Sequence, residues 1–171
     1  CVLEDAYILL YDGRITTAAE LVPVLTKANA ESKSLLIVAE DIDGEALATL
    51  IVNKMRGIVK VCAVKAPDYG DRRILALEDL ATITGGQLLS KDKGNKLDKI
   101  NTIGLAAYLG KSKTVIIEKE KTTVVDGNGN YEAIEQRALE IKDQIEKAAS
   151  PYEKEKLQER LGKLIGGVAL I

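Results

Sequence analysis

Asp41, Asp43, Gly44 and Glu45 stand at the spacing with which a calcium-binding loop opens. Such a loop closes on a bidentate glutamate, and the closing position falls on Val52. The calcium reading is therefore rejected, and these acids are expected to cap the helix that follows. Gly127-Asn128-Gly129 follows a strand-like run, as a phosphate loop would. The rest of the glycine fingerprint and its later acid are missing, and Asp126-Gly127 is a better turn than a nucleotide signal. Gly70-Asp71-Arg72-Arg73 offers two guanidinium groups to a phosphate or carboxylate; a solvated loop with a local ion pair is the preferred reading. The charge run Glu118-Lys119-Glu120-Lys121 is read as a solvated strand face. The chain has no histidine, so its hydroxyls lack the usual general base and a metal lacks its commonest ligand. No catalytic site assembles from these residues, and neither a metal nor a cofactor is expected.

The elements that must carry any site are those of one soluble domain. The 171 residues are 46% hydrophobic and 29% charged, enough for one core. A net charge of −2 supplies no global basic field toward nucleic acid or an anionic membrane. No apolar run is long enough to span a bilayer, and no secretory leader pattern opens the chain. Cys1 and Cys62 are too few for a disulfide framework and suit a reducing compartment. The opening Cys1 and the strand-like ending at Ile171 lead us to expect a piece of a larger protein.

Strands are expected over Tyr7–Tyr11, Leu35–Ala39, Val59–Lys65, Gln87–Ser90, Thr114–Val125 in two pieces, and Gly167–Ile171. Helices are expected over Pro23–Ala30 with Pro23 in the first turn, over Glu45–Arg56 closed by Gly57, and near Arg73–Thr82. Their alternation predicts an α/β fold. In the last third, Ile134, Ala138, Ile141 and Ile145 recur at helical spacing; Ser150-Pro151 then opens a second helix carrying Leu157, Leu161 and Leu164. Together they predict an antiparallel helical hairpin. The lysine-rich stretch from Lys91 to Lys96 is expected as a surface loop.

One helix has more apolar surface than a core contact uses. At 100° per residue, Ala46, Leu50, Leu47, Ile51, Met55, Ala48 and Val52 fill an arc about twice the ~100° stripe of an ordinary surface helix. Thr49, Asn53, Arg56 and Glu45 form the polar side, and Lys54 interrupts one edge of the arc. Such a helix is either packed on two sides or leaves an apolar strip in water. Leu21, Val22, Val24, Leu25 and Ala28 cover a wide arc on the preceding helix. Two such helices side by side would make a groove for extended or helical apolar segments. Burying four of these side chains gives ~1.5–3 kcal/mol each, much of it consumed by association entropy, so binding would be weak and undemanding.

The stretch from Ala39 to Asn53, AEDIDGEALATLIVN, resembles the signature of the group I chaperonins, the GroEL-like proteins. So do Val61-Cys62-Ala63-Val64-Lys65-Ala66-Pro67 with Gly70-Asp71-Arg72-Arg73, Thr84-Gly85-Gly86, Thr122-Thr123, the run from Glu155 to Leu161, and Gly166-Gly167-Val168-Ala169. These motifs follow the family order from about residue 3 to 171. The resemblance implies an apical domain, truncated on its N-terminal side, with sheets flanked by helices and the C-terminal helical hairpin. It implies that two helices bind non-native polypeptides and the mobile loop of a co-chaperonin. Residue by residue it assigns that role to Val22 and Leu25 on the first helix, and to Glu45, Leu47, Ile51, Val52 and Asn53 on the second. It also implies that the equatorial and intermediate domains, with their ATP and Mg, lie outside this chain, which would not hydrolyse ATP. A heptameric double ring for the parent, a monomer for the fragment, and the bacterial cytoplasm or an organelle matrix complete the expectation. Asp68-Tyr69 departs from the family's usual Gly-Phe, and residues 91–111 match poorly. The alternatives are a small-molecule-binding α/β domain, or a passive structural module with both helices buried.

Overall fold

A computed structural model describes residues 2–57, 60–66, 71–90, 108–117, 122–127, 131–165 and 168–170, and the statements below concern these. The chain is mixed α/β. Seven strands form one sheet: β1 (Val2–Ile15), β2 (Ser34–Ile42), β3 (Val61–Lys65), β4 (Leu89–Ser90), β5 (Gly110–Ile117), β6 (Thr122–Gly127) and β7 (Val168–Leu170). The order is β3-β2-β1-β5-β6-β7, with β4 also paired to β1. β1, β2, β3 and β4 run parallel, while β5, β6 and β7 are antiparallel to their neighbours.

β1 is central because both its faces are apolar. Tyr7, Leu9, Tyr11 and Ile15 enter one core, and Ala6, Ile8 and Leu10 enter the other. Strands covered on both sides read as continuous apolar runs, which is why Tyr7–Tyr11 was legible. The observed strand is longer than that run, since its polar ends are held by pairing: Val2 to Ile116 of β5 at one end, Ile15 to Ile42 of β2 at the other.

Helices α1 (Ala18–Ala30) and α2 (Gly44–Met55) link the first three strands and cover one face. α1 begins before the expected start, so Pro23 lies inside the helix and not in its first turn. The missing N–H there costs one ladder bond; burial of Leu21, Val24, Leu25 and Ala28 beneath the helix offsets it. α2 ends at Met55 with Arg56 as its C-cap, and Gly57 takes the left-handed conformation at φ +67. Only glycine adopts that conformation without strain, so Gly57 stops the helix as expected.

α3 (Asp71–Thr84), α4 (Tyr131–Lys147) and α5 (Pro151–Ile165) cover the other face. α4 and α5 form the expected hairpin, and the Ser150 hydroxyl accepts from the Tyr152 amide at 3.2 Å to cap α5. Asp79 fastens the hairpin to α3. Arg137 of α4 donates its Nε to one carboxylate oxygen, and Arg160 of α5 donates to both, at 2.9 and 3.1 Å. After α3 the backbone passes close to the start of β5: a Cβ on Gly86 would lie 2.8 Å from the Gly110 Cα, so only glycine fits. Among the described residues no helix is long and apolar enough to cross a membrane. The lysine-rich stretch 91–96, the charge run 118–121, and Asn128-Gly129, Pro67–Gly70 and Gly166-Gly167 lie outside the described residues.

Candidate functional site

α2 is neither buried on two sides nor an ordinary amphipathic helix. Ala46 and Leu50 point into the core, while Leu47, Ile51, Val52 and Met55 are 43%, 50%, 45% and 82% exposed. Ala48 is exposed among them. The solvent side of this helix is therefore apolar along three turns, which monomeric surfaces rarely leave uncovered. α1 packs beside α2 and adds Val22, 55% exposed.

Two contacts fix how the helices are turned. Lys27 of α1 lies over the Tyr7 ring at 5.6 Å, on the β5 side of β1, so Val22, nearly opposite on the α1 wheel, is on the side of α2. Lys54 of α2 reaches the Cys62 sulfur of β3 at 3.7 Å, so the opposite flank, with Glu45, Thr49 and Val52, looks toward α1. The expected site residues thus divide. Val22, Glu45 and Val52 border the groove between the helices. Leu47 and Ile51 lie on the outer flank, toward the open edge of β3, with Met55 and Ala48 on the crest. Asn53 is half-buried and donates its side-chain amide to the Thr49 carbonyl at 2.8 Å, an intrahelical bond. Leu25 is 8% exposed and belongs to the core, because it follows Leu21 and precedes Ala28 on the inward face of α1. It supports the groove from below and offers little surface to a ligand. Met55 was within the apolar arc but not among the expected site residues; its place eight positions after Leu47 was the available signal.

The acids ahead of α2 do not cap it as expected. Asp43 occupies the N-cap position but makes no side-chain cap bond. Arg14 takes its carboxylate at 2.6 Å and that of Asp41 at 3.3 Å, a stronger charge-assisted partner than the helix amides. Arg72 and Arg73 sit in α3 and not in a loop. Arg72 donates to the Tyr152 hydroxyl at 2.6 Å, and Arg73 lies 3.5 Å from Asp12 and 3.7 Å from Glu40. Both guanidinium groups are thus engaged within the fold, tying α3 to α5 and to the ends of β1 and β2. Among the described residues no group of three or more acids or cysteines is placed to hold a metal ion.

A cavity of about 680 Å3 lies elsewhere, at the starts of β1, β2 and β3, lined by Val2, Asp5, Ser32, Lys33, Ser34 and Lys60 among others. Lys33 and Asp5 close on one another across it at 2.6 Å. Its lining mixes polar and apolar groups and lies apart from the apolar helix face, so it is not a pocket in the groove. No family model matches the chain.

Proposed function

We propose that the chain binds non-native polypeptides reversibly through the groove between α1 and α2, as the apical domain of a group I chaperonin would. One observation carries the reading: α2 exposes Leu47, Ile51, Val52 and Met55 to solvent, with Val22 of α1 facing it across the groove. The longest stretch that resembles that family, Ala39 to Asn53, runs through α2. A shallow, flexible aliphatic surface without directional hydrogen bonds accepts many partners and holds each weakly. In a ring of such domains, several weak sites acting on one chain would give avidity without a stronger single site. On this reading the mobile loop of a co-chaperonin competes for the same groove. ATP and Mg would act on other domains of the full-length protein, in the bacterial cytoplasm or an organelle matrix.

The test is a titration against a reduced, carboxymethylated model protein that cannot refold, and separately against a co-chaperonin mobile-loop peptide. Val22→Ser and Val52→Ser are expected to abolish both interactions while circular dichroism remains native. Binding indifferent to both substitutions would remove the groove from the reading.

A further inference from the structure

β3 is an edge strand: among the described residues it pairs with β2 alone. The pairing shows which of its backbone groups are free of that ladder. Leu35 N–H donates to the Lys60 carbonyl, and Ala66 N–H to the Ala39 carbonyl. In a parallel ladder residues 60, 62, 64 and 66 therefore face β2, and the N–H and C=O groups of Val61, Ala63 and Lys65 point outward.

Three features distinguish this edge from one that is merely unpaired. First, the outer flank of α2 stands above it with the exposed Leu47 and Ile51, and Ala63 below is exposed on the same face as the buried Val61. A strand added to β3 would find an apolar roof already in place. Second, Lys54, Arg56, Lys60 and Lys65 surround the edge, in a chain whose net charge is −2; of these, Lys65 is near Asp41, at 4.0 Å. Third, Cys62 packs toward the α3 core, on the far side of the sheet from α2. The Lys54 ammonium of α2 nevertheless lies 3.7 Å from its sulfur. That exposed ammonium–thiol contact is weak and readily exchanged for a carboxylate.

We propose that the open edge of β3 binds an extended, acidic polypeptide segment by strand addition, with Leu47 and Ile51 covering its apolar residues and Lys54 and Lys60 pairing with its carboxylates. Backbone pairing supplies affinity and the alternate side chains supply selection. A second copy of this chain is a poorer occupant, because edge-to-edge pairing would bring the two lysine sets together. The inference concerns the flank of α2 that faces away from the groove and does not depend on the groove reading.

The probe is a fluorescein-labelled nine-residue peptide alternating glutamate with valine, followed by fluorescence anisotropy at low salt. Its counterparts carry lysine for glutamate, or N-methyl groups on the central backbone. Losing the edge hydrogen bonds is expected to weaken binding roughly tenfold or more, and the lysine peptide should bind at least as poorly. Ala63→Pro removes an N–H that β2 does not use, so it should fold and lose the glutamate peptide, while Ala63→Val retains it. Lys54→Ala should narrow the gap between the glutamate and lysine peptides. Val52→Ser, in the groove, should leave peptide binding unchanged. Equal binding of the N-methylated or lysine peptide would overturn the proposal, as would undiminished binding to folded Ala63→Pro. Self-association that Ala63→Pro abolishes, without peptide binding, would overturn it in favour of a second copy. Should Ala63→Pro not fold, the N-methylated peptide decides alone.

Discussion

The two helical layers of this domain are built on the same sheet and finished differently. On one face, α3, α4 and α5 close around Asp79, whose carboxylate is shared by Arg137 and Arg160 from two separate helices. On the other, α1 and α2 bury one stripe each and leave Val22, Leu47, Ile51, Val52 and Met55 in solvent. The first face uses specific, directional contacts to fix where helices lie. The second leaves non-directional surface free. A domain can keep an apolar face exposed only if its stability comes from elsewhere, and here the opposite face and the sheet provide it.

The directional face is most vulnerable at Asp79. Asp79→Ala leaves two half-buried guanidinium groups without their shared partner, and such losses cost about 3–5 kcal/mol. A large drop in Tm is expected, with weakened docking of the hairpin seen as faster amide exchange in α4 and α5. A denaturation midpoint close to the parent's would show that the hairpin is held by its apolar contacts alone.

A smaller contrast separates two leucine-sized side chains on the other face. Leu25→Ser empties a core position, and truncations of this kind cost ~2–5 kcal/mol. Ile51→Ser alters a half-exposed one and should stay within ~0.5 kcal/mol of the parent. Urea titration of both variants checks the pair, and equal losses would mean that Ile51 is packed more closely than its exposure indicates.

The smallest effect is electrostatic and ties the end of α1 to β1. Tyr7 donates its hydroxyl to Glu31 at 2.6 Å. Burial, then that hydrogen bond and the Glu31 charge, push the phenol from its ordinary 10.0 up to about 12. The Tyr7 hydrogen bond, followed by that of Lys27, holds Glu31 below the usual glutamate range. The folded state thus binds the phenol proton more tightly than the unfolded chain. Stability from Tyr7 is complete below the ordinary tyrosine value and is lost as pH rises toward the higher folded one. Stability from Glu31 has the opposite sense: it is present above the ordinary glutamate value and lost as pH falls through the lower folded one. Tyr7→Phe should flatten the alkaline slope and reduce the acid one, measured as the difference in unfolding midpoint between variant and parent across pH. Parallel curves would remove the Tyr7–Glu31 bond from the account.

Much of the architecture was legible because β-branched runs alternated with helical periods, and because Gly57 and Ser150-Pro151 punctuate helices in the usual way. What was not legible depends on partners distant in sequence. Pro23 suggested a helix start, and only packing beneath α1 shows that the helix begins earlier. Leu25 and Val22 look alike in a wide apolar arc, and only the neighbouring sheet decides which is core. Asp43 has the right type for a cap, but Arg14, on the far side of α1 in sequence, claims its carboxylate. The apolar surplus of α2 was visible from composition alone, whereas its division into a groove flank and an edge flank required the Lys27–Tyr7 and Lys54–Cys62 contacts.

β1 has a consequence for how the chain reaches this structure. Its later part pairs with β4 and its early part with β5, on the same side, while β2 lies along the other. The parallel unit of β1, β2 and β3 is local in sequence and can assemble as soon as residue 65 is available. The β5–β6 ribbon must wait for residues far along the chain to pair with Val2–Ile8. Contacts so separated in sequence are slow to form. During synthesis, the half bearing the exposed α2 would therefore be in place first, with the early edge of β1 unpaired until the ribbon arrives.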